Sequence, residues 1–268
     1  MNCIMQLHYS KPYRFVNIFL VISELILKAA DDIITDGNAY YEYCYKGIVQ
    51  MKENRIKITG AIFDFDGTLF DSMHVWKGIK YKFFDEMGLV LTDEDKKIFD
   101  NLYLREAIIT AKERFNMSET NEELFDKFFE CIKKRYLEDT KPKNDIIEFL
   151  EKLKAKGVKI GIATATGESA LIAVMEKFNM LHYFSPIYST YTVGASKKEP
   201  RVYDVVLEEL GTDKKTTWVF EDALYAAKTA KANGYNVVGI YDRSEPLQDE
   251  LKNLVDIYIN NYSELELV

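Results

Sequence analysis

Two aspartates one residue apart, Asp64 and Asp66, end the apolar run Ala61-Ile62-Phe63 and are followed at once by Gly67-Thr68. Residues two apart in a strand project to the same side, so the two carboxylates would share a face if the strand continued. Gly67 instead breaks it, leaving two acids at a carboxyl end in unusual backbone. A pair of negative charges is costly there unless a cation or a proton is expected. Further polar marks recur downstream: Thr164 closes Val158-Lys159-Ile160-Gly161-Ile162-Ala163, Lys197-Lys198 precedes Pro200, and Glu221-Asp222 follows Thr217-Trp218-Val219-Phe220. Singly, such a residue caps a helix, forms a turn or belongs to a solvated loop. Their recurrence in order points to one site.

The elements that must position these residues follow from periodicity. Residues 56–65 predict a buried strand, and the text then turns helical for the whole of 73–140. Trp76, Ile79, Phe83, Phe84 and Met87 recur at helical spacing up to Gly88. Thr92 to Asp95 signals the start of a second helix, and Arg105 to Phe115 gives a third. Thr120-Asn121-Glu122-Glu123 is a capping box for a fourth, striped by Leu124, Phe125, Phe128, Phe129, Ile132 and Tyr136. Four helices with no strand between them predict a small inserted bundle. From residue 144 helices and strands alternate, with strands at 158–164, 186–189, 217–220 and 236–241, which implies a mostly parallel sheet covered on both faces. In such sheets ligands bind beyond the carboxyl ends of the strands, where Asp64, Asp66, Thr164, Glu221 and Asp222 all fall.

The pattern Asp64-x-Asp66-Gly67-Thr68-Leu69-x-Asp71-Ser72 resembles the first motif of the haloacid dehalogenase-like (HAD) superfamily of phosphohydrolases, and the likeness extends over about residues 56–245. Thr164, in Ile162-Ala163-Thr164-Ala165-Thr166, matches the second motif, and Phe220-Glu221-Asp222 the fourth. The third usually reads Lys-Pro-x-Pro-Asp. Lys197-Lys198-Glu199-Pro200-Arg201 keeps its first lysine and second proline, so spacing favours Lys197, with Lys198 as the alternative.

The resemblance implies an α/β fold, a Rossmann-like doubly wound parallel sheet with an inserted helical cap. It implies that Asp64 attacks phosphorus to give an aspartyl-phosphate, and that Asp66 protonates the leaving oxygen and later activates water. Thr164 would hydrogen-bond the phosphoryl oxygens, Lys197 would supply fixed charge, and Gly67, Thr68 and Ala165 would line the phosphate site. Mg²⁺, a hard cation, would be held by Asp64, Asp222 and the backbone carbonyl of Asp66, with Glu221 orienting its water shell. The substrate expected is a small phosphorylated metabolite. Domains are expected at 1–50 (an extension), 51–72 with 141–268 (the core) and 73–140 (the cap).

The cap resembles that of the phosphoglycolate phosphatase and β-phosphoglucomutase-like branch. Candidates for reading the leaving group are Trp76, Arg105 and Lys80, although a tryptophan on a helix is more often core and Arg105-Glu106 more often a surface pair. The mutases usually carry a histidine where this chain has Trp76, and His74 is two residues off that register. Hydrolysis is therefore favoured over phosphoryl return to sugar, and a non-catalytic regulator of the same fold is the remaining alternative.

The 268 residues carry a formal charge of −8, which argues against a broad nucleic-acid or anionic-membrane footprint. Three separated cysteines and three scattered histidines form no zinc or disulfide pattern, as expected of a reducing, cytoplasmic setting. A monomer is expected. The stretch Tyr13–Ala30 is apolar but interrupted by Asn17 and Glu24, short of the about 20 apolar residues of a membrane span, and no signal-peptide cleavage pattern follows it. An amphipathic helix is the expectation, and residues 1–50 read as a dispensable extension. Deleting them is expected to leave soluble protein with its activity intact, as measured by expression and turnover of the truncated chain.

Overall fold

The computed structural model describes residues 54–102 and 104–268. The helix expected over Tyr13–Ala30 lies outside the described residues. In chain order, β1 (Arg55–Ile56), β2 (Gly60–Phe63) and β3 (Phe70–Asp71) come first. Helices α1 (Met73–Trp76), α2 (Ile79–Glu86), α3 (Asp93–Asp100), α4 (Leu104–Arg114) and α5 (Asn121–Asp139) follow without an intervening strand. Then come β4 (Lys141–Pro142), α6 (Ile146–Ala155), β5 (Lys159–Thr164), α7 (Glu168–Lys177), β6 (Ile187–Ser189), α8 (Thr190–Val193) and α9 (Arg201–Leu210). The chain closes with β7 (Thr217–Glu221), α10 (Leu224–Ala232), β8 (Asn236–Ile240), α11 (Gln248–Leu254), β9 (Ile257–Ile259) and β10 (Glu266–Leu267).

Six strands form one parallel sheet in the order β6-β5-β2-β7-β8-β9. The order runs outward in both directions from β2, which is the doubly wound arrangement, and the expected α/β class holds. Alternation along the central strands divides two apolar layers. On one face Phe63 of β2 stacks on Phe220 of β7 at 4.2 Å, with Phe149 of α6 at 5.7 Å from Phe220 and Tyr262 at 5.2 Å from Phe149. On the other, Ile62 and Val219 pack with Val202 and Val206 of α9.

The run expected as one strand over 56–65 is two. Exposed Lys57 and Thr59 mark the change of partner: β1 pairs with the C-terminal β10, while β2 enters the central sheet. β9 and β10 lie beyond the last strand that periodicity indicated. They are three and two residues long, too short for a periodic signal.

The helical insertion has five segments rather than four. The run from Trp76 to Met87 breaks at Lys77-Gly78, where Gly78 adopts φ +72°. Both threonine signals form complete capping boxes, Thr92 with Asp95 and Thr120 with Glu123. The chain leaves and returns through a two-stranded antiparallel ribbon, Phe70 opposite Pro142 and Asp71 opposite Lys141. Long α5 packs along α7 of the sheet layer, and Phe129 meets Tyr191 edge-on at 5.3 Å. Among the described residues no helix is long and apolar enough to cross a membrane.

Because the Phe63–Phe220 stack joins the two strands that carry the acidic residues, truncating it opens a cavity at the centre of the sheet. Phe220→Ala is expected to lower unfolding free energy by about 3–5 kcal/mol, measured by urea denaturation.

Candidate active site

Adjacency of β2 and β7 brings the acids together. Phe63 lies opposite Phe220, so the residues that follow, Asp64 and the Glu221-Asp222 pair, emerge side by side at the carboxyl edge. The Asp64 N–H donates to the Phe220 carbonyl (3.0 Å), the last rung before the chain turns. Residues 65–70 then fold back, with Leu69 and Phe70 N–H both donating to the Phe65 carbonyl and Gly67 N–H to that of Phe70. Gly67 is needed twice over at this turn. Its φ is +74°, and a Cβ there would stand 2.1 Å from Oδ2 of Asp222.

Carboxylate oxygens of Asp64, Glu221 and Asp222 lie within 4.8 Å of one another, and all three residues are buried. Lys197 is buried among them, its Nζ 2.5 Å from Asp64 Oδ1 and 2.8 Å from Glu221 Oε2. It is Lys197 that reaches the carboxylates, while Lys198 is exposed. Pro200 caps α9 just beyond, and the first turn of that helix carries Tyr203, whose hydroxyl donates to Glu221 (3.3 Å). The Thr68 hydroxyl donates to Asp222 Oδ1 (3.0 Å).

Three carboxylates against one ammonium leave a formal charge of −2 when all are ionised, in a site where burial penalises each charge. Burial first, and then Glu221, push Asp64 up to about 7, with Lys197 opposing. Burial, Glu221 and Asp64 together drive Asp222 well above the usual carboxylate range. Burial alone would depress Lys197, but Asp64 and Glu221 hold it well above its ordinary value. The donor set is all oxygen, compact and two charges short of neutrality, which fits a hard divalent cation. Glu221 is already committed to Lys197, Tyr203 and the Ala223 N–H (3.2 Å), so Asp64 and Asp222 are the freer donors.

Asp66 sits apart from this cluster in a nest of hydroxyls. Its Oδ1 accepts from Ser72 Oγ and Tyr136 Oη, each at 2.6 Å, and its Oδ2 accepts from Thr166 Oγ1. Burial and the charge of Asp64 raise its proton affinity; the hydroxyls act against them. Thr164 is fully buried at the end of β5 and its Oγ1 accepts from the Thr166 N–H (3.0 Å), while Ala165 is exposed between them. The two aspartates of one motif thus occupy different environments, Asp64 beside Lys197 and two further carboxylates and Asp66 among hydroxyls.

Other candidates lie elsewhere. Arg105 is exposed on α4 with its guanidinium over the Phe125 ring at 5.0 Å, inside the helical insertion rather than against the carboxylates. Lys80 donates to the carbonyls of Phe99 (2.6 Å) and Leu102 (2.9 Å), where it ties the end of α3. His74 is exposed and bonded to the Asp139 carbonyl (3.1 Å) at the ribbon. Trp76 is half-buried with its ring edge-on to Tyr136 at 6.3 Å. Sequence reasoning missed Ser72, Tyr136 and Thr166 as partners of Asp66. Ser72 and Thr166 were visible as polar residues inside the first and second motifs. Tyr136 gave no such signal, since it falls in an apolar stripe 70 positions from Asp66.

Comparison with known proteins agrees with this arrangement. Residues 61–240 match the haloacid dehalogenase-like hydrolase family, and the chain belongs to that family. It is an enzyme of the hydrolase class. It is 25% identical over 174 residues to a phosphorylated carbohydrates phosphatase of Thermotoga maritima, covering 65% of this chain and 81% of that one. It is 29% identical over 167 residues to a phosphoglycolate phosphatase of Aquifex aeolicus, covering 60% and 74%. The crystal structure of CbbY from Rhodobacter sphaeroides in complex with phosphate superposes with a TM-score of 0.64 at 18% identity, over 79% of this chain and 97% of that one.

Because the folded pKa of Asp64 exceeds that of the unfolded chain, the folded state takes up the extra proton. In metal-free protein its contribution is favourable below about pH 4 and is lost as pH rises through about 7. Asp64→Asn is expected to flatten the fall in stability between those limits by on the order of 2–4 kcal/mol. Urea denaturation in a chelator at several pH values measures the difference.

Proposed function

We propose that the protein is a phosphatase that cleaves small phosphorylated metabolites, sugar phosphates foremost, through a phosphorylated Asp64. The observation that carries this reading is the contact of buried Lys197 with Asp64 beside Glu221 and Asp222. A carboxylate can approach an anionic phosphate only where fixed positive charge offsets the repulsion. A divalent cation, Mg²⁺ by its preference for oxygen, would be held by Asp64, Asp222 and the Asp66 carbonyl. When bound it neutralises charge on the transferring group.

Asp64 Oδ attacks phosphorus and the bond to the leaving oxygen breaks, with Asp66 giving that oxygen its proton. Water then attacks phosphorus, Asp66 takes the proton back, and inorganic phosphate leaves as the Asp64 carboxylate is restored. Lys197 holds charge beside the nucleophile, and Thr164 donates to the phosphoryl oxygens. Glu221 keeps Lys197 in place. Helices 73–140 form a cap that excludes water from the first step and selects the leaving group. The enzyme works as a cytoplasmic monomer.

Water rather than sugar is the acceptor. The reading is supported by His74, which is bonded to the Asp139 carbonyl, and by Trp76, which stands in sequence register where the resemblance expects a mutase histidine.

With Mg²⁺, a panel of sugar phosphates, phosphoglycolate and nucleoside monophosphates is expected to yield inorganic phosphate. Asp64→Asn is expected to lower that release by about three orders of magnitude or more. Full phosphate release by Asp64→Asn overturns the assignment of the nucleophile, and interconversion of β-glucose 1- and 6-phosphates without net phosphate release overturns water as acceptor.

A further inference from the structure

The three hydroxyls on Asp66 come from three separate parts of the chain. Ser72 lies where the chain enters the helical insertion, Thr166 lies in the loop after β5, and Tyr136 lies in the last turns of α5, inside the insertion. Tyr136 is fully buried. Its ring meets Phe65 edge-on at 5.8 Å and Trp76 at 6.3 Å. The Tyr136 hydroxyl donates to Asp66 Oδ1 at 2.6 Å and lies 3.2 Å from Thr166 Oγ1.

We propose that Tyr136 is a positioning residue that ties the acid–base carboxylate Asp66 to the helical insertion. Asp66 is then correctly aimed only when α5 lies against the sheet. The inference rests on the phosphatase reading above. A carboxylate on a flexible turn has a free side-chain torsion. Ser72 and Tyr136 together hold Oδ1 while Thr166 holds Oδ2, and the three bonds set the plane of the group. The same hydroxyl has a plain structural alternative, filling the seam between α5 and the Phe65 turn. The two roles differ in which reactions they affect. A proton donor matters for a leaving group that departs as a strong base and much less for one that departs readily as an anion.

The test compares two substrates in the full-length enzyme with saturating Mg²⁺: an alkyl phosphate monoester, whose alkoxide needs the proton, and p-nitrophenyl phosphate, whose phenolate does not. Tyr136→Phe keeps the ring and removes only the hydroxyl. Its kcat/KM for the alkyl ester is expected to fall about 10- to 100-fold, within the range general acid catalysis contributes. The loss on p-nitrophenyl phosphate is expected to be at least about tenfold smaller. Asp66→Asn is expected to show the same substrate dependence more strongly. Rates are normalised to folded protein by near-ultraviolet circular dichroism, so lost structure does not enter the ratio. Equal losses on the two esters, or no loss on the alkyl ester, overturn the positioning role while leaving the phosphatase reading intact. Failure of the unaltered enzyme to release phosphate from either ester, or full activity in Asp64→Asn, overturns both.

Discussion

Everything at the carboxyl edge of the sheet depends on crowding three buried carboxylates around one buried ammonium. Asp64 and Lys197 are 2.5 Å apart, and Glu221 shares the same lysine at 2.8 Å. Such a group is unfavourable as it stands, because desolvation of each ion outweighs what a single counter-charge returns. The rest of the fold holds it together. The Phe63–Phe220 stack fixes the strands that present it, a missing Cβ at Gly67 admits Asp222, Thr68 holds Asp222 Oδ1, and Tyr203 shares Glu221 Oε2 with Lys197. Uncompensated negative charge of this kind draws in a cation, and a dianionic ligand would be repelled until such a cation offsets it.

The separation of Asp64 from Asp66 has its origin in a single glycine turn. Had β2 continued, both carboxylates would have faced the same cluster and deepened its repulsion. The fold-back of residues 65–70 onto the Phe65 carbonyl carries Asp66 away to Ser72, Tyr136 and Thr166. A carboxylate among hydroxyls can hold or release a proton without disturbing the charge balance around Lys197.

Much of this was legible in the chain. The parallel core declared itself because its strands are short apolar runs ending in polar residues, and the motif resemblance favoured Lys197 by its spacing to Pro200, with Lys198 as the alternative. Elements whose identity depends on distant partners were not legible. β1 and β10 exist only through each other, at opposite ends of the described chain. The helix break at Gly78 was signalled by the glycine, yet the apolar spacing of Trp76, Ile79 and Phe83 ran across it unbroken. Tyr136 is the clearest case. Its ring belongs to the apolar stripe of α5 and its oxygen to Asp66, and periodicity registers only the ring.

The ribbon of Phe70-Asp71 against Lys141-Pro142 bears on how such an enzyme can change. Exit and return of the insertion are neighbouring strands, so topologically its helices are the loop of one long hairpin. Residues can be gained, lost or exchanged between those two strands without altering the register of any strand in the six-stranded sheet. The carboxylates of the edge and the helices of the insertion are thereby carried by separable stretches of sequence, with Tyr136 a point where an exchanged segment would still have to meet the core.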